Sequence, residues 1–298
     1  MRSKIIANQH DLNAIQESWF IQNVIFSGLP IDIGFQSPAS NNKIIYLELN
    51  EISGELISML REAKQSIILY HMGDELGKMK TDHYQLCDLV IRNYFFPQQF
   101  NNDLDQKIVW APCGYKTGIG PREHSRVKVV LERNFIATFL GWIGNANSYG
   151  DERKRFSDAT LSCGENIFFM PSDGFGKGLN VGLYSATMES SVFAPCPAGN
   201  SPETIRLYDA LELGCIPISL KHEFIFSDRG LAEFGHPPFA FLNSWDELPN
   251  FLEKMRDQLV NNVNEVQAWQ AKCLLWWTNY KISFQKKIAA RIELINPY

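Results

Sequence analysis

Short apolar runs alternate with amphipathic stretches along both halves of the chain. In the first half, Ile44–Leu49, Ser66–Tyr70, Leu89–Tyr94 and Ile108–Ala111 are apolar or β-rich runs of strand length. Between the first two, Leu56, Ile57, Leu60 and Ala63 recur at helical spacing, with Ser53 as the expected N-cap. The second half restarts with a strand at Phe135–Trp142, a charged helix around Asp151–Ser157 and a strand at Ile167–Met170. After the glycine-rich loop PSDGFGKGLNVG, the segment Ser191–Leu220 reads as strand, small-residue loop, helix and strand. Phe239–Leu242 supplies a further strand. Trp245 then opens a helix with Asp246 and Glu247 in its first turn, where the helix dipole favours acids. This alternation in both halves predicts a parallel α/β architecture. Cys113–Arg133, richer in glycine, proline and charge, is expected to link two domains.

The segment SVFAPCPAGNSPETIRLYDALELGCIPISL carries the most chemical information. Ser201 fits an N-cap, Pro202 fits the first helical position, and Gly214 with Pro217 marks the stop. A helix entered from a strand-end loop directs free N–H groups and its positive dipole end at an anion. Arg206 lies one turn in, and Asp209 a turn later on nearly the same face. A cation followed by a carboxylate suits a nucleotide, with the diphosphate first and the ribose hydroxyls next. The competing reading is an ordinary strand–helix–strand unit with a solvated i,i+3 ion pair.

Cys196-Pro197-Ala198-Gly199, then Arg206, Asp209-Ala210-Leu211 and Gly214-Cys215-Ile216-Pro217, resembles the exostosin-like glycosyltransferases. That resemblance covers about thirty residues and implies a GT-B fold. Such a fold has two Rossmann-like domains facing across a cleft, the second holding the nucleotide of a sugar donor. It implies an N-terminal domain at 1–120, a nucleotide-sugar domain at 134–270 and a C-terminal helix at 271–298 that packs back on the body. Sugar transfer would proceed with inversion from a UDP-sugar, without a metal cofactor. The donor contacts it implies are Gly144, Asn145, Gly199, Asn200, Ser201, Arg206 and Asp209. The acidic position is usually Glu in the family, so Asp209 has a shorter reach. A run of GDE, then Tyr84, then IRNYF also resembles the family's xylosyltransferase-like branch.

His71-Met72-Gly73-Asp74-Glu75 directly follows an apolar strand, and open α/β sheets bind ligands outside the carboxyl ends of their strands. Inverting transfer needs a base for the acceptor hydroxyl, which makes Asp74 or Glu75 the expected catalytic group. Either acid could instead simply begin the next helix. His71, Arg92, Asn93 and Tyr94 are the expected acceptor contacts, because aromatic rings stack on sugars while Arg and Asn bind hydroxyls. Their alternative is an Arg92–Asp88 ion pair with the rings in the core. Gly174-Phe175-Gly176-Lys177-Gly178 matches neither the dinucleotide fingerprint nor the P-loop.

Composition changes this picture little. The 298 residues give room for two domains, and 45% hydrophobic with 20% charged residues is ordinary for a globular protein. A net charge of −5 argues against a nucleic-acid polymer as partner, though not against a nucleotide. Six cysteines without CxxC spacing point to core thiols rather than zinc or disulfides. No DxD follows a strand, and no apolar run spans a membrane, so a cytoplasmic protein is expected. The tail from Cys273 to Arg291 mixes tryptophan with lysine. It is expected to pack on the body, with peripheral membrane contact near lipid-linked acceptors as its other reading. The acceptor would be a hydroxyl of a glycan or polyol phosphate. Two other functions fit the same pattern: a sugar-nucleotide epimerase, and a glycan- or nucleotide-binding module without turnover.

Overall fold

The computed structural model describes residues 3–7, 15–29, 31–33, 43–48, 54–96, 102–144, 149–174 and 176–295. The chain divides into two compact units, Met1–Cys113 with Lys281–Tyr298, and Gly114–Tyr280.

The first unit contains β1 (Ser3–Ala7), β2 (Ile31–Ile33), β3 (Lys43–Glu48), β4 (Ser66–His71), β5 (Leu89–Arg92) and β6 (Ile108–Trp110). All are parallel, in the order β2-β1-β3-β4-β5-β6. Its helices are α1 (Ser18–Phe20), which runs into a π-helical turn at Ile21–Ile25, α2 (Gly54–Glu62) and α3 (Asn102–Asp105). β4 and β5 are buried along their whole length, which is why they read as unbroken apolar runs. Ile57 and Leu60 of α2 are buried as the helical pattern requires, while its expected cap Ser53 lies outside the described residues.

The second unit repeats the plan with β7 (Phe135–Trp142), β8 (Ile167–Ser172), β9 (Ser191–Pro195), β10 (Ile216–Leu220) and β11 (Ala240–Leu242). The order is β11-β10-β9-β7-β8, again all parallel. Numbered within the unit this is 2-1-3-4-5, the order with which the first sheet also begins. Its helices are α4 (Glu152–Thr160), α5 (Val181–Glu189), α6 (Ile205–Glu212), α7 (Glu223–Phe226), α8 (Asp228–Phe234) and α9 (Leu248–Asn261), followed by α10 (Val263–Glu293), which belongs to this unit up to Tyr280 and to the first unit from Lys281 on. The turn that opens at Trp245 is 3-10 over Trp245–Glu247 and runs directly into α9. Phe139, Phe156, Phe193 and Trp245 fill the core.

The expected linker is not one. Residues 114–133 belong to the second unit, and polar side chains fasten them there. Asp209 accepts the Lys116 N–H at 2.8 Å, and Glu212 accepts the Arg122 N–H at 2.6 Å. Arg133, nearly buried, donates to the carbonyls of Lys128, Ser191 and Leu213. Glycine, proline and charge suggest a flexible tether only while the partners of those charges are unknown.

The tryptophan-rich tail is one continuous helix, α10. Trp277 is buried and donates to Glu212 at 2.6 Å, and Trp276 donates to the Phe234 carbonyl at 3.2 Å. These rings are thus committed to the second unit. Phe284, Ile288 and Ile292 are buried further along the helix. Among the described residues no helix is long and apolar enough to cross a membrane. All six cysteines are buried free thiols. Burial pushes Cys87 and Cys273 up to about 12, and Cys163 and Cys215 up to about 11.

Substitutions at two positions test this framework. Gly214 has φ +73°, and a Cβ there would strike Val127 and come within 2.8 Å of the Arg133 guanidinium. Gly214→Ala should therefore destabilise the second unit by about 2 kcal/mol, read as a lowered urea midpoint. Glu212→Leu takes the acceptor from the buried Trp277 indole and from the Arg122 N–H and should cost about 3 kcal/mol. Glu212→Gln, which keeps an acceptor, should cost less than half of that in the same assay.

Candidate donor site

In sheets of 2-1-3-4-5 order, the crevice for ligands opens where neighbouring strands lead their connections in opposite directions, here between β7 and β9. The loops leaving those two strands carry the residues that matter. Gly141, with φ +145°, is the last residue but one of β7, and a Cβ there would collide with the Arg206 guanidinium. Arg206 fills that space. It donates to the Leu140 carbonyl, and its guanidinium carbon lies 4.2 Å from the Phe139 ring centroid. An arginine has five N–H donors, and among the described residues Arg206 spends one of them. It is half-buried, so its charge is fixed in place yet reachable.

The loop after β9 is built rigidly. Arg153 donates to the carbonyls of Trp142 at 2.8 Å and Ala198 at 3.2 Å, tying the ends of β7 and β9 together. A Cβ on Gly199 would approach Arg153 to 2.9 Å, and the Gly199 carbonyl accepts the Tyr149 N–H. Glu152 is buried beside them. Its Oε1 accepts the Ala198 N–H at 2.9 Å and the Trp245 indole at 3.0 Å, and its Oε2 lies 3.1 Å from His222 Nε2.

The helix starts later than the sequence pattern suggests. Ile205, not Pro202, is the first residue of α6, and Thr204 rather than Ser201 takes the capping position. Ser201 instead folds the loop, its hydroxyl accepting the Glu203 N–H at 3.3 Å and its carbonyl the Gly199 N–H at 3.0 Å. Thr204 makes no cap bond, and its hydroxyl is buried with no hydrogen-bond partner. A buried, unsatisfied hydroxyl is costly, and here it stands at the positive end of a helix. Nothing in the order S-P-E-T distinguishes Thr204 from Ser201. Both are good caps, and only the path of the chain decides between them.

Asp209 departs from the expected role. The carboxylate expected to meet ribose hydroxyls is only 1% exposed. Its Oδ1 takes the Lys116 N–H and its Oδ2 the Tyr184 hydroxyl at 3.1 Å. Burial pushes its pKa up to about 6, against the lowering effects of the Lys116 N–H bond, the Lys116 charge, Tyr184 and Arg206. Gly144 is exposed at the end of the β7 loop, Asn200 is half-buried and Ser201 buried, while Asn145 lies outside the described residues.

In the first unit the expected site residues do gather at the carboxyl ends of β4 and β5, but mostly as a buried network. Arg92 is 0% exposed and bonds Asp74 at 2.6 Å and the Tyr84 hydroxyl at 2.8 Å. His71 Nδ1 lies 2.5 Å from that hydroxyl. Asn93 accepts the Gly73 N–H, and Asp74 also accepts the N–H groups of Lys78 and Met79. Burial alone would raise the Asp74 pKa, but the Arg92 bond and charge with the two N–H bonds hold it below the usual carboxylate range. A carboxylate so stabilised is a weak base. His71, Arg92 and Asn93, expected to contact an acceptor, are buried and committed internally. Glu75 and Tyr94, joined by a 3.2 Å hydrogen bond, are the half-buried members of the group.

Comparison with known proteins agrees with this architecture. The structure of Anabaena Alr3699/HepE in complex with UDP superposes with a TM-score of 0.59 at 10% identity, covering 99% of this chain and 100% of that one. The UDP-glucose complex of the same protein gives 0.56 at 11% identity, with the same coverage. An α,α-trehalose-phosphate synthase (UDP-forming) from Burkholderia vietnamiensis gives 0.51 at 12% identity, covering 87% and 74%. These likenesses carry the fold, which is GT-B. In sequence, a probable glucuronosyltransferase of Oryza sativa subsp. japonica is 32% identical over 71 residues, 24% of this chain and 14% of that relative. The model of the RXYLT1 C-terminal domain matches residues 122–294, more than half of the length. The chain therefore belongs to the RXYLT1 C-terminal domain family, among the exostosin-like glycosyltransferases.

Proposed function

We propose that the second unit binds a UDP-sugar and that the protein transfers the sugar, with inversion, to a hydroxyl of a glycan or polyol-phosphate acceptor. The observation that carries this reading is Arg206, packed on Phe139 at the sheet's switch point and, among the described residues, with most of its donors unspent. The unsatisfied Thr204 hydroxyl and the first N–H groups of α6 supply further donors in the same neighbourhood. Anabaena HepE, of the same fold, binds UDP and UDP-glucose, which supports the choice of nucleotide.

The chemistry follows from charge. As the acceptor oxygen forms its bond to the anomeric carbon, the bond to the diphosphate oxygen breaks and that oxygen becomes more negative. Donors already fixed around it stabilise the transition state more than the ground state. Arg206 and the helix start would fill the role that a divalent cation has in metal-dependent transferases, so transfer should survive EDTA. A base takes the proton that the acceptor hydroxyl loses. Asp74 is held by Arg92 in its ionised form, so the base is assigned to Glu75.

Isothermal titration with UDP tests the donor half. The wild-type protein should bind, and Arg206→Ala should weaken binding by about 10- to 100-fold, the value of a charge-assisted hydrogen bond. Equal affinity in the variant would remove Arg206 from the site. The base assignment is tested by rate: Glu75→Gln should abolish transfer while UDP affinity stays unchanged. Asp74→Asn should instead lower the unfolding midpoint, since it loosens buried Arg92. Binding without transfer or donor hydrolysis in the wild-type protein would favour the nucleotide-binding module.

A further inference from the structure

We propose that Glu152 is a positioning residue of the donor site, which shapes the loop from Ala198 to Thr204 from behind without touching the nucleotide. This rests on the donor-site reading above and adds a residue that acts through the loop. The buried side chains of α4 are Glu152, Phe156, Ala159 and Thr160, the spacing of a helix face turned to a core. Phe156 fills its place by packing, its ring 4.7 Å from that of Phe139 and 4.9 Å from that of Trp245. Glu152 puts a carboxylate on the same face, 4% exposed, where an apolar side chain would avoid the cost of burying a charge. Asp151, just before it, takes a left-handed backbone, φ 56°, which is unfavourable for a residue other than glycine.

What the carboxylate supplies is acceptor geometry, since an ionised Glu accepts hydrogen bonds and donates none. Its Oε1 takes donors from two separate elements, the Ala198 N–H at 2.9 Å and the Trp245 indole at 3.0 Å. Arg153, the next residue, donates to the Ala198 carbonyl at 3.2 Å, so consecutive residues of α4 hold both backbone groups of Ala198. The Tyr149 N–H adds a 2.7 Å bond to the Gly199 carbonyl.

The hold passes along the loop. The Gly199 N–H donates to the Ser201 carbonyl at 3.0 Å, the Ser201 hydroxyl accepts the Glu203 N–H at 3.3 Å, and Thr204 follows as the residue that caps α6. Glu152 thus anchors one end of a bonded path whose other end is the Thr204 hydroxyl and the first N–H groups of α6. Donors fixed before the ligand arrives lose less freedom on binding. The contact with His222 Nε2, 3.1 Å away, belongs to Oε2, so the loop bond needs the reach of this side chain and an oxygen at its end rather than its charge.

Calorimetric titration of the full chain with UDP separates reach from charge. Glu152→Asp keeps the charge but is one methylene shorter, which withdraws the acceptor from Ala198. Its UDP affinity should fall about tenfold, the value of one hydrogen bond to a charged group. Glu152→Gln keeps the reach and can place its amide oxygen at the Oε1 position, so it should restore affinity to within about threefold of wild type. Amide hydrogen exchange over residues 198–201 should quicken in Glu152→Asp and stay slow in Glu152→Gln. Gly214→Ala, beyond the other end of α6, should lower the thermal midpoint of the same unit and leave UDP affinity unchanged. Wild-type affinity in Glu152→Asp, a tenfold loss in Glu152→Gln, or a matching loss in Gly214→Ala would overturn the proposal. No UDP binding by the wild-type protein would instead overturn the donor-site reading beneath it.

Discussion

Two carboxylates on one short helix decide how much of this chain belongs to its second unit. Asp209 and Glu212 sit on α6, itself packed among the strands, and each reaches a backbone N–H in the segment that precedes the first strand. A carboxylate is costly to bury unless donors surround it. Here the donors are Lys116 and Tyr184 for one acid, and Arg122 and Trp277 for the other. The helix, the segment from 114 to 122 and the middle of the long terminal helix therefore form one polar assembly inside an otherwise aromatic core. Cutting the unit at residue 134 would take the Lys116 and Arg122 N–H groups away from these two buried acids.

This dependence explains what sequence could and could not reveal. Buried parallel strands are uniform apolar runs, so β4, β5, β7, β9 and β10 are visible without any partner being known. The helix stop at Gly214 is equally visible, because positive φ and close packing both demand glycine there. The acids of α6 are another matter. Asp209 pairs with a residue 93 positions away and Glu212 with one 90 away, and no local spacing encodes either distance. For Asp209 the i,i+3 neighbour Arg206 is the nearer candidate in sequence, yet both carboxylate oxygens take donors from Lys116 and Tyr184. The helix start was misplaced for a related reason. Ser201-Pro202 has the composition of a cap, but its hydroxyl is spent inside the loop.

The ends of β4 and β5 show the opposite outcome. Polar residues stand out there because they interrupt apolar runs, and the structure gathers them at the carboxyl ends of the two strands. Yet Arg92, Asp74, Tyr84 and His71 satisfy one another in the interior, and burial is a property that no residue declares alone. The two parallel sheets share an order and still use the carboxyl ends of their strands differently. In the first unit that edge is stitched together by ionic hydrogen bonds, and in the second it presents Arg206, which among the described residues spends one of its five donors.

The buried thiols extend these observations to dynamics. Cys87 and Cys113 lie in the first unit, and Cys163, Cys196, Cys215 and Cys273 in the second, all shielded from solvent. A thiol reacts as its thiolate, and burial has pushed most of these far above neutral pH. Alkylation of the folded chain must therefore wait for local opening. Followed by mass spectrometry, the labelling rate of each cysteine becomes a clock for the part of the molecule around it. The protein thus carries separate reporters of how often each unit breathes, without a probe having to be introduced.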